Sequence, residues 1–145
     1  MRLSERDINR FVEAQASGWS GYDVALREIE NGSKDSHWMW YIFPQYRNLG
    51  RSSTAHYYGI ENRAEAEQYL VHETLGPRLR EICTALLKHR DKSAVRIMGS
   101  VDALKLRSSM TMFDCISPND IFGEVLDVFY DGERCDRTLQ IDSLG

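Results

Sequence analysis

The chain has 145 residues and a net charge of −4 at pH 7, with 42% hydrophobic and 28% charged residues. That length is typical of one domain, and this apolar fraction disfavours an extended, disordered chain. The acidic balance argues against a dedicated nucleic-acid binder, which normally carries a basic face. The longest apolar run, residues 38–43, is far shorter than the roughly 20 residues that span a bilayer, and no signal-peptide pattern precedes it. We therefore expect a single cytoplasmic domain over residues 1–145.

Helical periodicity runs through nearly the whole chain, beginning with a first helix that Ser4 can cap. A second helix over residues 22–29 should end at Asn31-Gly32, because these residues favour a left-handed backbone. Asn62, with Glu65 three residues later, predicts the capped start of another helix.

The clearest helix should begin at Pro77, since apolar residues recur after it at i, i+3, i+4, i+7 and i+8. These residues are Leu79, Ile82, Cys83, Leu86 and Leu87. A short helical turn over residues 93–98 and a long helix over about 101–116 should follow. Ser117-Pro118 predicts the start of the next helix, with serine as the cap and proline in the first position, and Asp131-Gly132 should end it.

A last short helix is expected over residues 134–141, with residues 142–145 frayed. The only strand candidate is residues 38–43, and Pro44 would place that segment at a sheet edge or in a loop. We therefore predict an all-α fold, an irregular and crossed arrangement of about eight short helices rather than a bundle of long parallel ones.

The cysteines, Cys83, Cys115 and Cys135, are odd in number and show no CxxC spacing. Two of them fall within apolar helical patterns, as buried free thiols do. Free thiols indicate a reducing compartment, which agrees with a cytoplasmic location.

Residues 35–46 form the most unusual stretch, because five of these twelve residues are aromatic. The rings of Trp38, Trp40 and Tyr41 could form the walls of a ligand pocket, with their polar tips available for hydrogen bonds. The unperturbed pKa of histidine, about 6.5, would suit His37 to act as a general acid or base. Alternatively, the segment fills the centre of the domain, and His37 bonds to a backbone carbonyl.

A second unusual stretch is residues 105–114, where serines and threonine occupy positions that better helix formers usually fill. Lys105 and Ser109 are four residues apart and so share one helix face. A lysine beside hydroxyl groups would suit a phosphate or carboxylate. The alternative is that the small hydroxylated residues allow close helix crossing, while Lys105 is simply solvated.

The segment from Gln45 to Ser53 is a weaker candidate, in which Gln45 is itself a predicted ligand contact. Gly50 and Arg51 could present backbone N–H groups to an anion, although a loop that ends in a serine cap explains the pattern equally well. The four histidines lack HxxxH or HExxH spacing, no cysteine–histidine pair has zinc-site spacing, and no GxSxG pattern occurs. We therefore predict no metal site and no cofactor.

Several of these motifs also carry a family resemblance over about residues 10–139. The chain resembles a small family of bacterial and fungal proteins of unknown function that sometimes bear the label "calpastatin". The resembling segments are residues 10–15, 37–45, 49–52, 75–79 and 105–113. The resemblance implies an all-helical fold and no particular activity. Calpain inhibitors are extended, disordered chains, so the composition of this chain does not support that label.

The two unusual stretches together suggest a small anionic or nucleotide-like ligand, bound or turned over in a pocket that both stretches would line. Small helical proteins that act on ADP-ribose-type compounds offer a fold-level analogy. His37 would transfer protons, and Lys105 would stabilise negative charge. The alternative is a non-catalytic protein-interaction module that exposes the aromatic segment. No membrane partner is expected, and the acidity makes a nucleic-acid partner the weakest candidate.

Overall fold

The structure is a computed structural model that describes residues 7–144. Over these residues the chain forms ten α-helices and no strand, which confirms the all-α prediction with more helices than expected. The helices are α1 Asn9–Gln15, α2 Tyr22–Glu30, α3 Met39–Ile42, α4 Ser53–Tyr58, α5 Arg63–Val71, α6 Leu75–Leu87, α7 Ala94–Met98, α8 Ser100–Ile116, α9 Ile121–Tyr130 and α10 Asp136–Ser143. A 3-10 turn covers Arg47–Leu49. The predicted cap Ser4 lies outside the described residues.

Side-chain caps start several helices where the sequence predicts them. The Asn62 side chain accepts a hydrogen bond from the Glu65 backbone N–H at 3.0 Å, as predicted for α5. Ser93 accepts one from the Arg96 N–H at 3.0 Å at the start of α7. That helix ends at Gly99, whose φ of +89° is a conformation that side-chain-bearing residues rarely adopt.

The long helix α6 begins two residues before the predicted Pro77. His72 Nδ1 accepts hydrogen bonds from the backbone N–H groups of Thr74 and Leu75, at 3.1 and 3.3 Å. A histidine ring therefore caps this helix, which the usual serine, threonine and asparagine signals do not reveal. The predicted apolar stripe of α6 is confirmed, because all five of its residues are buried.

The predicted start of α9 at Ser117-Pro118 is wrong. Asn119 adopts a φ of +64°, which interrupts the helical backbone, and the helix begins at Ile121. Asp120 is the cap, because its carboxylate accepts the Ile121 N–H at 2.7 Å. Ser117 instead donates its hydroxyl to the same carboxylate at 2.8 Å, so it supports the cap without being the cap.

The C-terminal segment is more ordered than predicted. Helix α9 ends at Asp131-Gly132 as expected, with φ values of +53° and +78°. Asp142, which was expected to be frayed, lies in α10 and accepts hydrogen bonds from the Tyr46 hydroxyl at 2.9 Å and from Arg63 Nη1 at 2.8 Å. Local sequence gives no sign of these two partners, because both are distant along the chain.

The strand candidate, residues 38–43, is not a strand. Residues 39–42 form the single helical turn α3. The only extended pairing within residues 7–144 is an isolated parallel bridge between Tyr46 and Ile60. The side chains of Trp38 and Phe43, on either side of the turn, are buried. Burial in a helical core therefore outweighs the strand propensity of this apolar run.

Aromatic rings form a continuous path through the core. Phe11 on α1 meets Tyr69 on α5 edge-on, with ring centroids 5.1 Å apart. Tyr69 contacts Phe113 on α8 at 5.4 Å, and Phe113 contacts Phe122 on α9 at 5.5 Å. These contacts join the four helices α1, α5, α8 and α9, and the geometry of each lies within the favourable range for aromatic pairs.

Arg10 is a buried cation that connects α1 to α4 and α5. Its guanidinium donates to the Glu65 carboxylate at 2.8 Å and to the carbonyl oxygens of Tyr57 and Gly59 at 2.7 and 2.9 Å. A buried charge is tolerated only when it is paired and hydrogen-bonded, and Arg10 meets both conditions. It therefore fixes the position of α1 on the rest of the domain.

Two expectations from the sequence, free cysteines and no membrane-spanning segment, can be compared with the structure. The three cysteines are free thiols, with Cys83 and Cys135 buried and Cys115 half-buried. None of the helices in residues 7–144 is both long enough and apolar enough to cross a membrane.

The carboxylate of Glu28 on α2 holds the aromatic segment in place. It accepts hydrogen bonds from the backbone N–H groups of Asp35 and Ser36, from the Ser36 hydroxyl and from Trp38 Nε1, at 2.8, 2.9, 2.6 and 2.8 Å. Burial would raise the pKa of Glu28, but these donors outweigh that effect and lower the pKa to about 2. The ionised carboxylate thus stabilises the backbone that leads into α3.

Replacing this carboxylate should destabilise the fold. In Glu28→Gln, the side-chain NH₂ would face a donor, and we expect the free energy of unfolding to fall by about 2 kcal/mol. Urea titration followed by circular dichroism measures the change. Glu30→Gln, an exposed change on the same helix, is the matched control. Equal stability of the two variants would contradict the assigned role of Glu28.

The contribution of Glu28 should also depend on pH. Its folded pKa of about 2 lies below the ordinary value of 4.5, so its stabilisation is complete above about pH 4.5 and is lost as pH falls towards 2. We expect the stability difference between the native chain and Glu28→Gln to shrink between about pH 6 and about pH 3. A difference that is constant over this range in urea titrations would show that Glu28 does not carry the effect.

Candidate functional site

A groove of about 430 Å³ lies beside α8 and is the main concavity near the predicted site residues. One wall is the N-terminal half of α8, the second is Trp40 with the loop after α3, and the far end is the start of α10. We call it the Trp40 groove. It is lined by Trp40, Gln45, Leu49, Gly50, Val101, Leu104, Lys105, Arg107, Ser108, Cys135 and Arg137.

Lys105 and Trp40 meet at one end of this groove. The Lys105 ammonium lies over the Trp40 indole, 3.9 Å from the ring centroid, as a cation–π contact. Asp102, one turn earlier on α8, accepts Lys105 Nζ at 3.5 Å and pairs more closely with Lys34 at 2.8 Å. The aromatic segment and the Lys105 helix therefore do face each other, as the sequence hypothesis requires.

The groove is lined by three cations and by no carboxylate. The cations are Lys105, Arg107 and Arg137. The nearest acidic partner of Arg107 is Glu133, at 3.9 Å, and the buried Arg107 Nε has no hydrogen-bond partner in the described chain. Arg137 likewise has no ion-pair partner in residues 7–144. A concave surface lined by three cations and no carboxylate favours a positive local potential, even on an acidic chain.

His37 lies next to the groove and not inside it. Its side chain is exposed, and its ring has no hydrogen-bond partner among the described residues, so the expected bond to a backbone carbonyl is not formed. It borders a small cleft of about 60 Å³ that shares Trp40 and Lys105 with the groove. His37 and Lys105 therefore line one concavity.

Three other predicted contact residues serve packing. Trp38 is buried, donates its Nε1–H to Glu28 and borders only the small cleft. The Tyr41 hydroxyl donates to the Ser20 carbonyl at 2.7 Å, away from the groove. Ser109 is fully buried, as the helix-crossing interpretation predicts. Among the predicted ligand contacts, the groove itself thus includes Trp40, Gln45 and Lys105.

The sequence interpretation missed the far end of the groove. The sequence analysis did not single out Arg107, while Cys135 and Arg137 come from a distant segment that only the tertiary fold brings near. One local feature of the sequence could have indicated a surface site on α8. Val101 and Leu104 are three residues apart on α8, and both are more than 60% exposed, which places apolar side chains on the face away from the core.

The loop over residues 45–53 forms part of the second wall. It ends in a serine cap, which is the simpler of the two interpretations of this segment. Ser52 caps α4 by accepting the Ala55 N–H at 3.0 Å. Gly50 lines the groove, and a side chain there would meet Ala55 Cβ at 2.4 Å. The glycine therefore permits close packing of the loop on α4, and the neighbouring Arg51 does not line the groove.

The thiol of Cys135, at the far end of the groove, differs from those of Cys83 and Cys115 in the direction in which its pKa is shifted. Burial opposes its ionisation, but hydrogen bonding from the Ser108 hydroxyl and from the backbone of α10 outweighs burial and lowers the pKa of Cys135. Ser108 Oγ lies 3.4 Å from the sulfur. By contrast, burial raises the pKa of Cys83, and burial with nearby carboxylates raises that of Cys115 to about 11.

Comparison with other proteins identifies the class to which this fold and groove belong. Residues 5–141 match the family described as "Protein of unknown function (DUF1810)", and the chain belongs to that family. The crystal structure of the conserved hypothetical protein Rv1873 from Mycobacterium tuberculosis, at 1.38 Å, is similar throughout. The two chains are 40% identical with a TM-score of 0.91, over 97% of this chain and 99% of that one. No curated protein matches the chain.

His37 and Trp38 should respond oppositely to substitution, although they are adjacent. In His37→Ala we expect the free energy of unfolding to change by less than about 0.5 kcal/mol, because the ring has no partner. In Trp38→Phe we expect a loss of about 2 kcal/mol, because Glu28 loses a donor and the core loses volume. Chemical denaturation of both variants tests this. A large loss in His37→Ala would indicate a structural role for His37.

Proposed function

We propose that the chain binds a small anionic, nucleotide-like ligand in the Trp40 groove. The observation that carries the proposal is the lining of the groove, three cations and no carboxylate beside an indole ring, on a chain whose net charge is −4. A surface patch that opposes the charge of the whole molecule favours a negatively charged ligand. The groove volume of about 430 Å³ is within the usual range for small-molecule sites.

The apolar part of the lining suits a planar ring system. Trp40 offers a flat surface for stacking, and Leu49, Val101 and Leu104 supply apolar contact area around it. The ammonium of Lys105 now occupies one face of the indole. An incoming phosphate would compete with this cation–π contact for Lys105, and the Trp40 ring would then be free to stack on a base.

The polar part of the lining suits phosphate or carboxylate groups. Lys105 provides a point charge, whereas the guanidinium groups of Arg107 and Arg137 can form two parallel hydrogen bonds with one anion. Gln45 adds an amide that can donate and accept, which would help to discriminate between bases. Lys105 and Arg107 lie on α8, Gln45 lies on the opposite loop and Arg137 lies on α10, so a ligand could be held from several sides.

His37 is the candidate for catalysis at this site. Its exposed ring lies where the small cleft adjoins the groove at Trp40 and Lys105. An imidazole with no competing hydrogen bond could accept or donate a proton to a ligand group that extends from the groove. In that case His37→Ala would abolish turnover and leave binding unchanged.

The alternative, a protein-interaction module built on an exposed aromatic segment, has less support. Trp38 is buried and Trp40 is half-buried against Lys105, so residues 35–46 do not form an exposed aromatic patch. The exposed indole of the chain is Trp19, which is 90% exposed and lies in the loop before α2.

Adenosine monophosphate is the simplest probe of the proposed site. We expect calorimetric titration to show binding that weakens about tenfold in Lys105→Gln, the effect of losing about one charge-assisted hydrogen bond. Trp40→Leu should weaken binding as well, because the stacking surface is lost. Lys88→Gln, an exposed lysine at the end of α6, is the control of equal charge change.

Two outcomes would count against this proposal. If adenosine monophosphate and other nucleotides do not bind, the groove is not a nucleotide site. If they bind but Lys105→Gln and Lys88→Gln behave alike, the site lies elsewhere on the molecule.

A further inference from the structure

A second cavity of about 440 Å³ adjoins the Trp40 groove at Cys135. The two cavities share three lining residues, Arg107, Cys135 and Arg137. We call these three residues the junction. A ligand group held at the junction would therefore contact residues that line both cavities.

Two arginines at the junction are available to a ligand. Among residues 7–144, the buried Nε of Arg107 has no hydrogen-bond partner, and its ion pair is the 3.9 Å contact with Glu133, whose side chain is 76% exposed. Arg137 is exposed and has no ion pair in the described residues. The third arginine of the second cavity, Arg134, is already bound to the Asp114 carboxylate at 3.0 Å.

Acidic residues limit where an anion could lie in the second cavity. Glu133 and Asp136 also line this cavity and would repel a negative group close to them. The Trp40 groove has no such residue. The most favourable position for a second anionic group is therefore the junction itself, between Arg107 and Arg137.

The environment of Cys135 independently indicates that the junction stabilises negative charge. The Ser108 hydroxyl lies 3.4 Å from the sulfur, and the first turn of α10 begins at the next residue. The Ser108 hydroxyl and the backbone N–H groups of that turn lower the pKa of Cys135, although the residue is buried.

We propose that Arg107 and Arg137 form a second anion subsite around the sulfur of Cys135, separate from the Lys105 end of the groove. The ligand class is then one with two anionic groups in series, such as a nucleoside diphosphate or its ester, with the base on Trp40. The subsite follows from the junction alone, whereas the identity of the ligand rests on the proposed function.

Alkylation of Cys135 tests the subsite without any nucleotide. In this reaction the thiolate forms an S–C bond to the reagent carbon, the C–I bond breaks, and iodide leaves. The full chain is treated with iodoacetate, which is anionic, or with iodoacetamide, which is neutral, and each cysteine is followed by peptide mass spectrometry. Cys83 and Cys115 are controls within the same chain.

We expect Cys135 to react before the other two cysteines and to prefer iodoacetate several-fold more than Cys115 does, because the arginines attract the carboxylate. Arg137→Gln should reduce that preference, and millimolar inorganic phosphate should slow the reaction at Cys135 alone. Arg96→Gln, an exposed arginine on α7, is the control of equal charge change. An unreactive Cys135, no preference for iodoacetate, or equal behaviour of the two arginine variants would overturn the subsite.

Nucleotide binding tests the ligand class. We expect adenosine diphosphate to bind about tenfold more tightly than adenosine monophosphate, and Arg137→Gln to remove the difference. If the monophosphate binds and the diphosphate binds no better, the subsite fails while the proposed function survives. If the anionic preference at Cys135 is present but no nucleotide binds, the subsite survives and the proposed nucleotide ligand fails.

Discussion

The position of the candidate site depends on one carboxylate, that of Glu28. Because this group collects four hydrogen bonds from residues 35–38, the chain enters α3 along a fixed path. Trp38 is then directed into the core, His37 remains at the surface, and Trp40 reaches the wall of the groove. His37, Trp38 and Trp40, three ring-bearing residues within four positions of the chain, thus have three different roles. An ionised acceptor with several donors is far stronger than a neutral one, which explains how one side chain can hold an irregular segment.

The distribution of charge is the second constraint on the site. The carboxylates near the groove are engaged with cations outside it, as Asp102 is with Lys34 and Asp114 is with Arg134. The charged side chains that line the groove are therefore all cationic, although acidic residues outnumber basic ones, 22 to 18, in the chain. Net charge, which argues against an anionic ligand when it is averaged over the sequence, is thus a poor guide to local potential.

The sequence predicted helices well where their signals are local and poorly where they depend on tertiary contacts. The Asn62 cap, the stripe on α6 and the end of α9 follow from backbone and side-chain chemistry within a few residues. The His72 cap and the ordered Asp142 could not be anticipated in this way, because distant packing and pairing decide them. The site divides similarly. Lys105 and Trp40 lie in sequence stretches of unusual composition, so the sequence could indicate them. Cys135 and Arg137 come to line the groove only through folding.

The hydrogen bond between Tyr46 and Asp142 has a consequence for the width of the groove. Tyr46 directly follows Gln45 on one wall, and Asp142 lies at the opposite end of the helix whose first residues follow Cys135. Arg63 on α5 also binds Asp142, so a third element braces the connection. The distance between the loop wall and the α10 end of the groove is therefore set by contacts outside the groove lining. Anything that loosened the last turn of α10, including a protein fused closely behind it, would change the shape of the groove from outside.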